Sequence, residues 1–257
     1  CTYMKKSEIS HFEPPRGLRR RLISAAACLM AAAVLASGAW AAQPESGAQP
    51  AAATPSELSA PPAAATPSEL TAPQSGVPLD ETSFPDPAFL ACVLAFDAEC
   101  AAVTRLDVRG KGITSLEGVG FFPELTYLNC IGNDIAQLPL EHLSKLTNLL
   151  CNENSLTSLD LSQTPALEVL HCHDNLLSSL DVSALPHLRE LACGDNPFTS
   201  LDVSHNPELA YLLYLGGPLR TLTLSGNDAL VDLWCSYSLV SELDLAQAPN
   251  LEILGVE

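Results

Sequence analysis

Aromatic residues are scarce in this chain, and so are cations. Trp, Tyr and Phe together make up 5% of 257 residues, although 47% are hydrophobic. An interior with so few rings has to be filled by leucine, which suits a thin, repetitive core. Lys and Arg number 12 against 30 Asp and Glu, a formal net charge of −18. Lys5, Lys6, Arg16, Arg19, Arg20 and Arg21 all fall within residues 1–41, so residues 42–257 hold six cations, 28 acids and a net charge of −22. Such a polyanion is repelled by phosphate backbones and by anionic headgroups. Nucleic acid is thereby disfavoured as a partner, as is direct membrane contact by this region. The acids serve instead to keep an extended face in solution.

What is abundant is repetition. Residues 146–208 carry three 21-residue copies, LTNLLCNENSLTSLDLSQTPA, LEVLHCHDNLLSSLDVSALPH and LRELACGDNPFTSLDVSHNPE, opening at Leu146, Leu167 and Leu188. The frame L-x-x-L-x-C-x-x-N-x-L at this period is a leucine-rich repeat signature. It continues in register from Leu125, Leu209, Leu230 and Leu251, and a 22-residue copy opens at Val103. The expected fold is a β-rich leucine-rich repeat solenoid. Each coil supplies a short strand to a parallel face and returns through irregular or short-strand structure. Leu167, Leu170, Cys172, Leu177, Leu180, Val182 and Leu185 are the core positions of one coil. Burying each large side chain stabilises by about 1.5–3 kcal/mol. Ordering each residue costs about 1.5 kcal/mol, so one coil alone does not fold and stacking is obligatory.

Upstream the chain divides by composition. Residues 1–42 read as an export signal: arginines precede the apolar run Leu22–Leu35, and small residues close it at Ala39-Trp40-Ala41. An uncleaved anchor helix is the alternative. Residues 43–82 repeat AAATPSEL within a Pro/Ala/Ser/Thr-rich stretch without apolar periodicity, expected to be a disordered linker. Residues 83–102 are expected to form an N-terminal cap and 103–257 about seven repeats, the last truncated. In the cap, Pro87 suits an early helical position. Phe89, Leu90, Val93 and Leu94 are expected to cover the open end of the first coil.

The stretch FPDPAFLACVLAFD followed by AAVTRLDVRGKGITSLEGVGFFPELTYLNC resembles the cap and first repeats of bacterial internalin-like surface proteins. The later coils resemble the class of those proteins in which one cysteine per repeat stacks into a ladder. The resemblance covers about residues 83–257; it is specific for fold and unspecific for ligand. With the export signal or its anchor alternative at residues 1–42, the repeats are expected outside the cytoplasm: secreted, periplasmic or held at the cell surface. Family members often carry an acidic calcium loop after the cap helix. Here Asp97-Ala98-Glu99-Cys100 stands in its place, without a D-x-D-x-D-G frame, so no calcium and no cofactor is expected.

Cys130, Cys151, Cys172, Cys193 and Cys235 share one core position, with Tyr214 at the missing rung. Parallel Cβ atoms one strand apart (~4.8 Å) are badly disposed for disulfides, which want roughly 3.5–4.5 Å and converging bonds. Buried free thiols are therefore expected. Cys92 and Cys100 are the one pair for which a disulfide is left open. Asn133, Asn154, Asn175 and Asn196 form a second column, suited to satisfying backbone groups exposed by the turn. Asp160, Asp181, Asp202 and Asp244 form a third, suited to bonding the turn that follows.

Function belongs on the strand face, where residues alternating with the core point outward. Tyr211, Leu213, Leu215, Trp234 and Tyr237 gather apolar and aromatic surface in adjacent coils and form the first candidate ligand-binding cluster. His171 and His173 project from one strand and form the second; a transition-metal role for them is weighed and set aside in favour of solvated imidazoles. No catalytic residue is expected, because every column cysteine is buried and no nucleophile stands beside a base. The chain is expected to be an adhesion or recognition module for a protein or a glycan. The alternative is the targeting region of a larger secreted or anchored enzyme.

Overall fold

The structure is a computed structural model that describes residues 3–5, 77–95 and 102–256. Apart from residues 3–5 and 77–82, the export signal and the linker lie outside the described residues, as does Cys100. No helix among the described residues is long and apolar enough to cross a membrane.

The second leucine of the repeat frame sits at the centre of a three-residue strand and points inward. Leu106, Leu128, Leu149, Leu170, Leu191, Leu212 and Leu233 are all completely buried. Their strands are β2 (Arg105–Asp107), β3 (Tyr127–Asn129), β4 (Asn148–Leu150), β5 (Val169–His171), β6 (Glu190–Ala192), β8 (Tyr211–Leu213) and β10 (Asp232–Trp234). With β12 (Ile253–Gly255) they make an eight-stranded parallel sheet in chain order, one strand per coil. The register is one to one throughout, Leu149 opposite Leu170 and Leu170 opposite Leu191. A constant period places every side chain beside its counterpart, so the core is a set of columns. The seven core positions named for the Leu167 coil are buried, from 0% to 8% exposed.

Tight i→i−3 hydrogen bonds on the return side close each coil, as in Thr164 N–H to Leu161 and Leu167 N–H to Thr164. Later coils add strands there: β7 (Ser200–Asp202) pairs with β9 (Thr221–Thr223), and β11 (Glu242–Asp244) pairs antiparallel with β1 (Tyr3–Lys5). A further column on this side is Thr164, Asn206 and Asn227, each 0% exposed. Asn206 donates to the Val182 and Leu185 carbonyls, and Asn227 to those of Val203 and Asn206. The column changes residue type from coil to coil, so residue identity does not mark it, although a proline follows it at Pro165, Pro186 and Pro207.

The cap helix α1 spans Pro87–Ala95. Phe89 and Val93, one turn apart, are buried, and Phe84 packs edge-on against Phe89 and Phe121. Leu94, expected on the covering face, is 56% exposed. It stands about 100° round the helix from Val93, and the contact stripe of a nine-residue helix is too narrow to reach it. Asp86 fastens α1 to the repeats. Its Oδ1 accepts the Ala88 and Phe89 N–H groups, capping the helix; its Oδ2 accepts from Thr114 N, Thr114 Oγ1 and Ser115 N, at 2.8–3.1 Å.

Candidate ligand-binding face

The asparagine column works as its position suggests. Asn175 Nδ2 donates to the carbonyls of Cys151, Cys172 and His173, while Oδ1 accepts the Leu156 N–H of the coil before. Asn154 and Asn196 repeat the pattern, and Asn133 opens it against Val108 and Ile113. One residue earlier, each coil turns through a left-handed backbone: Gly132, Glu153, Asp174, Asp195, Gly216 and Tyr237 have φ of 66°, 57°, 53°, 48°, 81° and 58°. A non-glycine residue in this region costs roughly 1–2 kcal/mol, and a bulky aromatic is the least usual occupant.

The frame breaks at the Leu209 coil in a compensated way. Tyr214 replaces cysteine, is completely buried, and packs edge-on to Phe198 at 5.7 Å. Its hydroxyl accepts the Leu219 N–H at 3.1 Å. In earlier coils the matching N–H is taken by the next coil's asparagine, as Leu177 is by Asn196. The ring has room because Gly217, in place of asparagine, carries no Cβ; one there would overlap the Tyr214 hydroxyl and the Asn196 carbonyl. At Gly194 a Cβ would fall within the Leu215 backbone, so glycine is what lets these coils approach.

Cys130, Cys151, Cys172, Cys193 and Cys235 are free thiols, at most 3% exposed, in equivalent inward positions. Burial pushes the Cys130 thiol up to about 12 and raises Cys151, Cys172 and Cys193 as well. Thiolate, the nucleophilic form, is therefore disfavoured at every one of these four positions. Cys92 is a free, partly buried thiol in α1. On the return side Asp160, Asp181 and Asp202 accept the N–H of Ser162, Ser183 and Ser204 at 2.9 Å. These serines hold the three carboxyls below the ordinary aspartate range. Asp244 bonds Ala246 in the same way. Among the described residues, no group of three His, Cys, Asp or Glu is placed to hold a metal ion.

The strand register fixes where the candidate residues stand. Tyr211 lies between Glu190 and Asp232, and Leu213 between Ala192 and Trp234. Tyr211, Leu215, Trp234 and Tyr237 are partly buried, while Leu213 is 8% exposed. The Trp234 indole lies across Gly255, where a Cβ would collide with it. His171 and His173 turn to different acids: His171 Nε2 is 2.7 Å from Glu190 Oε1, and His173 Nδ1 is 3.1 Å from Asp174 Oδ2. His173 is buried, at 8% exposure, so less of it is presented than its place on a polar strand suggests.

Sequence reasoning passed over Asp232. It points from the sheet between Tyr211 and Ile253, keeps 9% of its surface, and has an Oδ1 without a hydrogen-bond partner. Burial raises its carboxyl pKa, and the nearby Trp234 indole opposes that only in part. Read in sequence, Asp232 is one more acid on an acidic face.

No family model matches the chain, and no curated protein matches it. Solved structures do. The functional domain of InlJ from Listeria monocytogenes, which includes a cysteine ladder, superposes with a TM-score of 0.65 at 33% identity over 69% of this chain. This chain spans 42% of that domain. YopM from Yersinia enterocolitica matches at 25% identity and a TM-score of 0.52 over 61% of this chain and 33% of its own. Internalin C2 from Listeria monocytogenes shares the fold at 21% identity and a TM-score of 0.50, over 70% of this chain and 97% of its own. Folds of this class present extended surfaces that typically mediate protein–protein contact. By repeat frame, strand register and likeness to solved structures, the chain is an internalin-like leucine-rich repeat solenoid.

Proposed function

We propose that this chain is an exported adhesion or recognition module that holds a protein ligand on its strand face, over Tyr211, Leu213, Leu215, Trp234 and Tyr237. The register of β8 and β10 supports it, because it sets Tyr211 and Leu213 beside Asp232 and Trp234 on the outward side of one sheet. Rigid aromatic and aliphatic groups gathered in this way are what binding hot spots are made of. Tyr237 adds to the case: at the left-handed turn that every coil makes, an aromatic is the least usual occupant, where the other coils place Gly, Glu or Asp. Export rests on the basic and apolar segment Arg16–Ala41 and on the likeness to internalin-like proteins. His171 and His173 border the patch and help fix its acids rather than forming a metal centre.

The test is capture of proteins from host-cell and bacterial surface extracts by immobilised chain. Wild type is compared with Trp234→Ala, Leu215→Asp and the return-side control Ser178→Ala. A protein held by wild type and the control but lost from both patch variants supports the proposal. Retention by the patch variants overturns it.

A further inference from the structure

Asp232 differs from Glu190 and Asp174 in having only the Trp234 indole, and no basic side chain, beside it. Glu190 is met by His171, and Asp174 by His173. Among the described residues, no ion pair includes Asp232. Its Oδ1 is buried without a hydrogen bond, and so is the indole Nε1 of Trp234 two residues along the same face. A carboxylate taken out of water without a cation is unfavourable by itself. Here it sits on the outward side of the sheet, walled by Tyr211 and Trp234, with Ile253 in register beyond.

The chain itself shows how a tyrosine of this column receives a cation. Tyr127 stands in the same outward column, and the Arg105 guanidinium of the preceding strand lies 3.5 Å over its ring centroid. Tyr211 stands further along that column between Glu190 and Asp232, both acidic. The arrangement offers a ring face and a carboxylate, and lacks a positive charge.

We infer that Asp232, flanked by Tyr211 and Trp234, is an anchor for a basic side chain, arginine first, presented by the protein bound on the strand face. This rests on the patch being a protein-binding surface. A guanidinium is planar, neutralises a carboxylate and stacks on aromatic rings, so it answers the Asp232 charge and uses the tyrosine face together. Lysine supplies charge without the planar fit. The net charge of −22 over residues 42–257 also favours a basic partner at long range.

The full chain carrying Trp40→Phe keeps Trp234 as its one indole, because the sequence has two tryptophans. Titration with a blocked Gly-Arg-Gly peptide is followed by the Trp234 indole resonance and fluorescence. The same peptide with citrulline for arginine keeps the shape and removes the charge. Arginine is expected to bind, with citrulline weaker by roughly tenfold or more and Asp232→Asn weakening arginine by a similar factor. Equal response to the two peptides, or unchanged arginine binding in Asp232→Asn, overturns the inference. Asp232→Ser is a second variant, and a urea midpoint no lower than wild type shows that each is folded. A captured protein lost from Trp234→Ala and Leu215→Asp but kept by Asp232→Asn overturns the anchor and leaves the patch standing. An arginine response without any captured protein supports the anchor and counts against the adhesion reading alone.

Discussion

Tyr214 and Gly217 depart from the repeat frame together, and the structure makes them one unit that mutation can take apart. Tyr214→Cys restores the frame residue but removes a fully buried ring packed on Phe198 and the acceptor for the Leu219 N–H. Truncating a buried aromatic costs about 3–5 kcal/mol, and an orphaned buried N–H adds about 1–3 kcal/mol. Gly217→Asn forces a side chain into φ 109° and against the Tyr214 hydroxyl. Strain of that kind costs about 1–3 kcal/mol, with overpacking of similar size. In the double variant the cavity left by the ring accepts the asparagine, whose amide takes over backbone bonding as Asn196 does one coil earlier. The double variant is expected to be less destabilised than the sum of the singles by about 2–3 kcal/mol. Urea unfolding followed by circular dichroism gives the totals; hydrogen exchange at Phe198 and Leu219 localises them, which matters in a repeat array whose coils open separately. Additivity within about 0.5 kcal/mol would refute the coupling.

Other outcomes follow from the same contacts. Asp86→Ala removes a helix cap worth about 1 kcal/mol and unpairs Thr114 and Ser115. Amides of α1 should then exchange much faster while those of β4–β6 hold; equal loosening everywhere would contradict its role as a fastening. Asn175→Ala should lower the urea midpoint more than Ser178→Ala, because Asn175 answers groups in two coils. Under native conditions at pH 8, iodoacetamide should spare Cys130, Cys151, Cys172 and Cys193 by mass spectrometry, burial having raised all four; rapid labelling of any one would contradict its burial. Burial is the largest single influence on Asp86 and pushes its pKa up, but the Phe89, Thr114 and Ser115 bonds together hold it below its usual value. Asp86, with Asp160, Asp181 and Asp202, thus contributes stability above the ordinary aspartate pKa that is lost as pH falls through the lowered values. Asp232 has the opposite sign, so Asp232→Asn should narrow the stability deficit that appears as pH rises through its elevated pKa.

A constant period is a statement about neighbours. From the spacing of Leu146, Leu167 and Leu188 alone it follows that equivalent residues stack, and the one-to-one strand register is that stacking. The buried column of cysteines, the asparagine bonds to the turn and the aspartate bonds to Ser162, Ser183 and Ser204 were legible for the same reason: each repeats, and each contact lies within its own coil or one coil away. Tertiary structure decided whatever does not repeat. Asp86 reaches Thr114 and Ser115 across 28 and 29 residues, Tyr214 borrows the space of Gly217, and Leu94 turns to solvent. His173 and Asp232 occupy nominally outward positions, yet neighbouring side chains shroud them. Periodicity gives the direction in which a side chain leaves the backbone. Whether it stays in water depends on how large and how polar its neighbours in the adjoining coils are, and that is a property of the stacked coils together.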